Sequence, residues 1–296
     1  MTTQLIFVFM IHFTGAICQP AIEWSKCFGG NDQQESYSLW QTFDGGYIVA
    51  GHSKGVSGDV TINLGGYDIW LVKSDSIGNI QWQKSYGGPF TDYARSVKQT
   101  QDGGYIVTGS VEGNGPFVTN WHGGIDLWVL KLDTAGLFQW QTCLGGTSGE
   151  RGNKIIESGD GGYIVAGSTS SDDGDVTGLI GGSDYWVVKL DSAGTKLWTR
   201  CYGGSKREIA YDIIPDGSGG FVLAGETQSN DGDVSGIHVG GIPNYPSRDF
   251  WIVNIDGTGN IIWQKCFGGT NEESAKSIYK TSDNGYIITG TTNSVD

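Results

Sequence analysis

Aspartate and glycine alternate in a polar segment that recurs along the chain and could bind Ca²⁺. The segment reads Asp172-Asp-Gly-Asp-Val176 in one copy and Asp231-Gly-Asp-Val234 in another. Ca²⁺ prefers a shell of oxygen ligands, which clustered carboxylates can begin to supply. The spacing does not match an EF-hand loop, so the alternative is a turn that an aspartate caps and a glycine opens. The weak candidates for Ca²⁺ ligands are Asp173, Asp175, Asp231 and Asp233, and no other cofactor is predicted.

A second set of aspartates ends a Gly-Gly-x-Asp motif and could form a ring of carboxylates. Its members are Asp68, Asp126, Asp184 and, after an insertion, Asp249. Glycosidase chemistry needs two carboxylates in distinct environments across a cleft, about 5–10 Å apart. Equivalent aspartates by themselves supply no such asymmetry, so we expect them to stabilise turns, and no catalytic residue is predicted. The remaining acids are interpreted as scattered and solvated; examples are Glu112, Glu150 and Glu208.

Two irregular loops carry aromatic side chains that could bind a ligand. The segment Val111–His122 contains Trp121, and the insertion Ile242–Arg248 contains Tyr245. Loops on a rigid scaffold often carry binding function, and both side chains could stack on sugars or anchor a protein partner. We therefore take Trp121 and Tyr245 as weak ligand-binding candidates, with neutral loop variation as the alternative.

Histidine and cysteine indicate neither a metal site nor a crosslink. Three of the four histidines lie in the repeats, at positions 52, 122 and 238, and are interpreted as occupying different places there, which predicts no metal cluster. Cys27, Cys143, Cys201 and Cys266 share the third position after a repeated tryptophan. Equivalent positions lie a whole repeat apart, too far for the roughly 5.5–6 Å between the Cα atoms of a disulfide. We expect small, buried thiols that fill space.

These residues are embedded in a repeat of about 58 residues. The first repeated tryptophan is Trp24, the Asp-Gly-Gly-Tyr motif follows at Asp44, and a second tryptophan lies at Trp70. Each unit contains four short β-branched or aromatic runs bounded by Gly, Asp and Ser, which predicts four strands. The sequence therefore predicts an all-β protein, a β-propeller of four-stranded antiparallel blades with five units, the last incomplete. Units start near positions 22, 80, 138, 196 and 261.

Two longer motifs carry a resemblance to a known family. Asp184-Tyr-Trp-Val-Val-Lys-Leu-Asp191 and Asp160-Gly-Gly-Tyr-Ile-Val-Ala-Gly167 resemble the repeat of secreted bacterial β-propeller proteins of a Bacteroidetes type, over about residues 22–292. The resemblance implies the fold and export, but members of that kind mostly lack a demonstrated activity. Leu190–Trp198 is more loosely similar to the repeat of quinoprotein propellers, which supports the fold and not the cofactor.

The N-terminal residues and the charge bear on location. Leu5–Ile11 is apolar, and Ala16-Ile-Cys18 has small residues where a signal peptidase cleaves, so residues 1–18 are predicted to be a secretory signal and 19–296 the propeller. A lipid anchor on Cys18 is the alternative. The net charge of −14 opposes nucleic acid and anionic membranes as partners.

From these patterns we expect a secreted or cell-surface, non-catalytic propeller that acts as an interaction or adhesion module. Its expected ligands are extracellular glycans or proteins. The protein itself is expected to be a monomer without a membrane span. The alternative is a carbohydrate-active hydrolase of endoglucanase type, or the propeller part of a larger secreted enzyme. Because the sequence stops within a repeat, at Asp296, we also expect a piece of a longer array; the alternative is a three-stranded fifth blade that the strand around Trp24 closes.

Overall fold

A computed structural model of the chain describes residues 6–12, 21–238 and 247–295. Within these residues all regular structure is β-strand, which confirms the predicted all-β class. The strands are β1 (Ile6–His12), β2 (Ala21–Phe28), β3 (Gln34–Gln41), β4 (Tyr47–Lys54), β5 (Tyr67–Ser74), β6 (Ile80–Tyr86), β7 (Tyr93–Gln99), β8 (Tyr105–Val111), β9 (Asp126–Leu132), β10 (Phe138–Leu144), β11 (Glu150–Glu157), β12 (Tyr163–Thr169), β13 (Asp184–Leu190), β14 (Lys196–Tyr202), β15 (Glu208–Pro215), β16 (Phe221–Thr227), β17 (Asp249–Ile255), β18 (Ile261–Phe267), β19 (Glu273–Lys280) and β20 (Tyr286–Thr292). In the described part of the chain, no helix is long and apolar enough to cross a membrane.

The strands assemble into four sheets of four strands and two pairs. Sheet I contains β3–β6, sheet II β7–β10, sheet III β11–β14 and sheet IV β15–β18, each in sequence order. The pairs are β1–β2 and β19–β20. The central strands are covered on both faces; every residue of β12, for example, is buried. This explains why these strands are continuous apolar runs rather than alternating patterns.

The sheets are offset by one strand from the sequence repeat, which corrects the predicted grouping. Sheet I takes its last strand, β6 with Trp82, from the second repeat, and β18 with Trp263 likewise completes sheet IV. The reason is a tight turn. Asp75 Oδ1 accepts the amide N–H groups of Ile77 and Asn79 at 3.0 and 2.8 Å, which pairs β5 with β6 as a hairpin. The fifth unit therefore retains only β19 and β20 in their own sheet.

The chain divides into two compact units. The first contains the chain up to Val107, together with Val111–Thr119 and Leu130–Gln141. The second contains Thr108–Ser110, Asn120–Val129 and the chain from Thr142 onward. Within the first unit, β7 packs on β3 and β4. Within the second, β15 packs on β11 and β12, and β19 packs on β15 and β16, so the first strand of one sheet covers the preceding sheet.

A half-buried tryptophan of the repeat docks one sheet onto the next. In the first unit the ring of Trp82, in sheet I, lies 5.5 Å from the ring of Tyr105, in sheet II. Gly136 belongs to the turn beneath this ring and has φ of 71°. A Cβ atom on Gly136 would lie 2.8 Å from the Trp82 ring. Glycine is thus needed here both for its backbone conformation and for the close approach of the indole.

Each Asp-Gly-Gly-Tyr motif pairs its aspartate with a buried lysine. Lys189 is 4% exposed, and its Nζ donates to both carboxylate oxygens of Asp160, at 2.9 and 2.7 Å. The same pairs join Lys73 to Asp44 and Lys131 to Asp102. A hydrogen bond from the Thr42 hydroxyl and the ammonium of Lys73 lower the pKa of Asp44 to about 2. The aspartates therefore remain charged and neutralise cations in the sheets.

We expect Asp160→Ala to lower the free energy of unfolding by about 1–3 kcal/mol. The substitution leaves the Lys189 ammonium buried without its partner, a change that costs more than this when both ions are buried. Here water reaches the site of Asp160, whose side chain is 59% exposed, and screens part of the loss. Urea unfolding measures the effect, with Asp172→Ala at an exposed position as the control. Equal losses in both variants would contradict the role of the pair.

Candidate functional site

The aspartates of the Gly-Gly-x-Asp motif stabilise turns, which confirms the sequence-based expectation. Asp126 Oδ2 accepts the backbone N–H of His122 at 2.8 Å, and Asp184 Oδ2 accepts that of Ile180 at 2.8 Å. Asp68 does the same for Leu64. Asp249 accepts the N–H of His238 at 2.9 Å across the insertion. All four aspartates are buried.

A second acid lies beside each of these aspartates, and sequence reasoning missed it. A Cβ atom on Gly145 would lie 2.6 Å both from Asp126 Oδ1 and from Glu150 Oε2, so the two carboxylates face one small space. The predicted scattering of Glu150 and Glu208 is therefore wrong: both are fully buried at equivalent positions of the repeat. The sequence signal that was missed is that these acids recur at the period of the repeat. The second acids are Asp92, Glu150, Glu208 and Glu273.

Burial raises the pKa of carboxyl groups in these pairs. It raises the pKa of Asp92 to about 7, with a further contribution from the charge of Asp68 and against the opposing hydrogen bond from the Gly88 amide. Burial likewise raises the pKa of Asp184 to about 6, with the charge of Glu208 adding to the effect. A buried pair of acids favours one proton because two adjacent negative charges in a poorly solvated site repel each other.

The four aspartates predicted as weak Ca²⁺ ligands accept backbone N–H groups of an earlier segment of the chain. Asp173 and Asp231 accept the N–H groups of Thr147 and Ser205 at 2.8 and 2.7 Å. Asp175 and Asp233 accept those of Gly145 and Gly203, at 3.3 and 3.2 Å. These contacts tie the polar segment to the glycine pair that follows the preceding tryptophan strand, and Ca²⁺ binding stays a prediction.

The two aromatic candidates have different outcomes. Trp121 is half-buried, and its indole Nε1 donates to the carbonyl oxygen of Gly124 at 3.3 Å, within its own loop. Its ring thus contributes to the local turn. Tyr245 lies outside the described residues.

A cavity of about 350 Å³ opens in the second unit where β11 and β15 begin. Three cationic side chains line it: Arg151, Lys206 and Arg207. Arg207 lies 3.7 Å from Glu226, whereas within the described residues Arg151 and Lys206 form no salt bridge. The remaining lining residues are one apolar residue, Ile209, two glycines, and four polar residues, Ser168, Ser170, Ser183 and Gln228.

Positions equivalent to this cavity lining carry different chemistry in the first unit. His52, Tyr67 and Tyr93 stand where the chain has Ser168, Ser183 and Ile209 two repeats later. The His52 ring is 3% exposed, and it meets the rings of Tyr67 and Tyr93 edge-on at 4.9 and 4.6 Å. Burial lowers the pKa of His52 to about 4, so the imidazole is neutral at physiological pH.

Some residues recur in every repeat, whereas the residues that line the cavity differ between repeats. The turn aspartates, the docking tryptophans and the buried lysines recur because they hold the sheets together. The cavity positions change from repeat to repeat. Arg207 lies beside the buried Glu226, whereas the other two cations, Arg151 and Lys206, form no salt bridge within the described residues. Such positions are where a repeat scaffold acquires binding specificity.

The thiols partly match their prediction. Cys27, Cys143, Cys201 and Cys266 are all free. Cys143 and Cys266 are buried, Cys201 is half-buried, and Cys27 is exposed, so the expectation of a buried thiol is wrong for Cys27. Burial raises the pKa of Cys201 and of Cys266 to about 12, so neither thiol is a thiolate at neutral pH.

Comparison with known proteins gives limited similarity. No family model matches the sequence. The regulatory protein FlaEY of Caulobacter vibrioides is 29% identical over 189 residues, covering 58% of this chain and 20% of that protein. This chain thus spans about a fifth of the length of that relative.

Among solved structures, a protein of unknown function from Bacteroides caccae matches with a TM-score of 0.37 and 12% identity, over 83% of this chain and 86% of that one. An α-L-arabinofuranosidase from Lactobacillus brevis matches with a TM-score of 0.43 and 11% identity, over 89% and 86%. These similarities are too low to support an argument about function.

Proposed function

We propose that this chain is an exported, non-catalytic β-propeller that serves as an interaction module for an anionic extracellular glycan. Repeated four-stranded sheets support the propeller, since within each unit the first strand of a sheet covers the sheet before it. The acidic composition and the N-terminal sequence pattern support export.

The cavity beside β11 and β15 carries the proposal. The chain has 18 basic residues and a net charge of −14, yet Arg151, Lys206 and Arg207 line one cavity. Guanidinium groups bind carboxylates and sulfates through paired N–H donors, and serine and glutamine side chains can bind sugar hydroxyls. An acidic sugar, either a uronic acid or a sulfated one, satisfies both kinds of donor.

We expect the double variant Arg151→Ala, Lys206→Ala to bind acidic polysaccharide at least about tenfold more weakly than the unmodified protein. Loss of two charge-assisted contacts, each contributing roughly 1 kcal/mol or more, accounts for this change. Binding to immobilised polygalacturonate and to a sulfated glycan measures the effect, with the neutral polysaccharide dextran as the ligand control.

The matched protein control is Lys265→Ala, which removes an exposed cation from the edge strand β18. It should keep the affinity within about twofold, because it lies outside the cavity lining. Equal weakening in both variants would mean that net charge, and not the cavity, determines binding. No binding to either acidic glycan would contradict the proposed ligand class and leave a protein partner as the alternative.

Hydrolysis of the same glycans tests the enzyme alternative. The paired acids, such as Asp126 and Glu150, are buried and hold backbone amides, so they are poorly placed to face a sugar across a cleft. We expect no release of reducing ends. Release that is abolished by one carboxylate substitution would replace the proposal with a hydrolase.

A further inference from the structure

Three side chains of the second unit bring a nitrogen, an oxygen and a sulfur donor to one place. They are His122, which precedes β9, Asp126, which begins β9, and Cys143, in the neighbouring strand β10. Their donor atoms all lie within 4.8 Å of one another. His122 Nδ1 is 2.8 Å and Cys143 Sγ is 3.3 Å from Asp126 Oδ2. We propose that these residues bind a divalent transition-metal ion of the Zn²⁺ type.

The donor set selects this kind of metal. Zn²⁺ binds imidazole, carboxylate and thiolate at about 2.0–2.3 Å, and three protein ligands with one open position are a common arrangement. Ca²⁺ and Mg²⁺ prefer oxygen ligands, so a thiolate and an imidazole disfavour them. His122 is 31% exposed, which gives an ion a path from solvent and leaves room for a water molecule as fourth ligand.

A second carboxylate, that of Asp175, lies beside the other ring nitrogen of His122. His122 Nε2 lies 3.5 Å from Asp175 Oδ2, so the ring nitrogen that would not bind the metal faces an acceptor. Metal-binding histidines usually donate their other N–H to such a group, which fixes the ring and its tautomer. Asp175 thus serves as a positioning residue, a role distinct from the Ca²⁺ ligand predicted from the sequence.

Asp126 carries the charge that a cation at this place would balance. Its side chain is fully buried, and a carboxylate buried in this way is costly unless a cation or a proton compensates its charge. A metal ion bound at Oδ2, which faces His122 Nδ1 and Cys143 Sγ, would supply that compensation. The partnerless Oδ1 does not distinguish this repeat, because Asp68, Asp184 and Asp249 have one as well.

Equivalent positions of the other sheets carry only part of this set or hold its donors further apart. Sheet I has Leu64 and Ser85 where sheet II has His122 and Cys143, and the sheet that contains Cys201 has no histidine there.

Sheet IV has the same residue types. His122 and His238 occupy the same position, two repeats apart, so their predicted placement in different positions is wrong, and Cys266 is the equivalent of Cys143. His238 Nδ1 lies 2.6 Å from Asp249, but within the described chain only the set around His122 brings three donors within 4.8 Å.

Titration of the reduced protein with Co²⁺ tests the proposal. Co²⁺ replaces Zn²⁺ in such sites, and a thiolate ligand gives an intense near-ultraviolet charge-transfer absorption. We expect one equivalent of Co²⁺ to produce this band and Zn²⁺ to displace it. Cys143→Ser should abolish the band, and His122→Leu should weaken Co²⁺ binding at least about tenfold. Both substitutions copy residues that sheet I already has at these positions, Ser85 and Leu64.

Two further variants separate the site from general effects. Cys201→Ser removes an equivalent cysteine that lacks a histidine partner, and it should leave the band and the affinity unchanged. Asp175→Asn should weaken binding while retaining the charge-transfer band, as a positioning role requires. A band that persists in Cys143→Ser, or that disappears in Cys201→Ser, would overturn the assignment.

A measurement on the unmodified protein avoids dependence on the folding of variants. Zn²⁺ at micromolar concentration should raise the thermal midpoint, whereas Ca²⁺ and Mg²⁺ at the same concentration should not. Absence of a Zn²⁺ effect together with absence of the Co²⁺ band would reject the site. Glycan binding does not depend on this result, because the cavity residues and the metal ligands are different.

Discussion

Gly167→Ala should lower the free energy of unfolding by about 3 kcal/mol or more, among the largest effects of any single methyl group in this protein. Gly167 lies in β12 opposite Gly152, where β11 contains a bulge between Gly152 and Lys154. A Cβ atom on Gly167 would lie 1.7 Å from the carbonyl oxygen of Arg151, which is backbone and cannot rotate away. The strands would have to separate, breaking ladder hydrogen bonds in a fully buried strand.

The control for this prediction is Gly159→Ala, in the turn before β12. No atom lies within 4 Å of its Cβ position, and its φ is outside the left-handed region. We expect a change near zero or a stabilisation of about 0.5 kcal/mol, because alanine restricts the unfolded chain. Urea unfolding of both variants measures the difference. Similar values for the two would show that the bulge tolerates a side chain.

The same clash recurs in the other sheets and makes the effect general. A Cβ atom on Gly51 would lie 1.8 Å from the carbonyl oxygen of Glu35, and one on Gly225 would lie 1.9 Å from that of Ile209. The final glycine of the Tyr-Ile-Val-Ala-Gly motif is therefore required by a bulge. That requirement could not be deduced from the motif, since strand residues give no sign of which partner residue will bulge.

The stability that Asp92 contributes should fall as the pH rises from about 4 to about 7, and Asp92→Asn should remove this fall. The folded-state pKa of Asp92 is about 7, above its ordinary value of 3.8, so the folded protein holds the proton more tightly than the unfolded chain. Stability from this group is complete below the unfolded pKa and is lost as the pH rises through the folded pKa. A shift of this size corresponds to roughly 2–4 kcal/mol.

An asparagine at this position keeps the contacts of the protonated acid. The carboxyl Oδ2 of Asp92 accepts the Gly88 amide at 2.7 Å, and the side-chain oxygen of an asparagine can accept it instead. The asparagine NH₂ can donate towards Asp68, whose Oδ1 has no partner among the described residues. The first repeat already has an amide here, since Gln34 accepts the Gly30 N–H at 3.1 Å.

Unfolding free energies at pH 5 and pH 8 test this prediction. Asp92→Asn should be more stable than the unmodified protein at pH 8 by about 1–3 kcal/mol, and the two should be closer at pH 5. Asp172→Asn, at an exposed position, should keep the original pH dependence. Asp184, with a pKa of about 6, contributes in the same direction and leaves a residual slope. A variant whose pH profile runs parallel to the original would exclude a shared proton.

Local features of the fold could be read from the sequence because they depend on neighbouring residues. The tight turn at Asp75, the Asp-Gly-Gly-Tyr motifs and the apolar runs each specify a strand or a turn within a few residues. Because the same patterns occur in each repeat, every copy supports the same assignment of strands and turns. The grouping of strands into sheets was predicted with an offset of one, because strand pairing depends on which turn is a hairpin and not on where a repeat is counted from.

The sequence by itself determined the all-β class, the strands, the turns and the role of the Gly-Gly-x-Asp carboxylates, since each rests on short-range pattern. Tertiary structure alone decided which distant residues meet. It placed Glu150 against Asp126, Cys143 and His122 around the same carboxylate, and three cations around one cavity. These groupings depend on the stagger of paired strands and on the packing of one sheet upon the next, and the short-range pattern of residue types does not reveal either quantity.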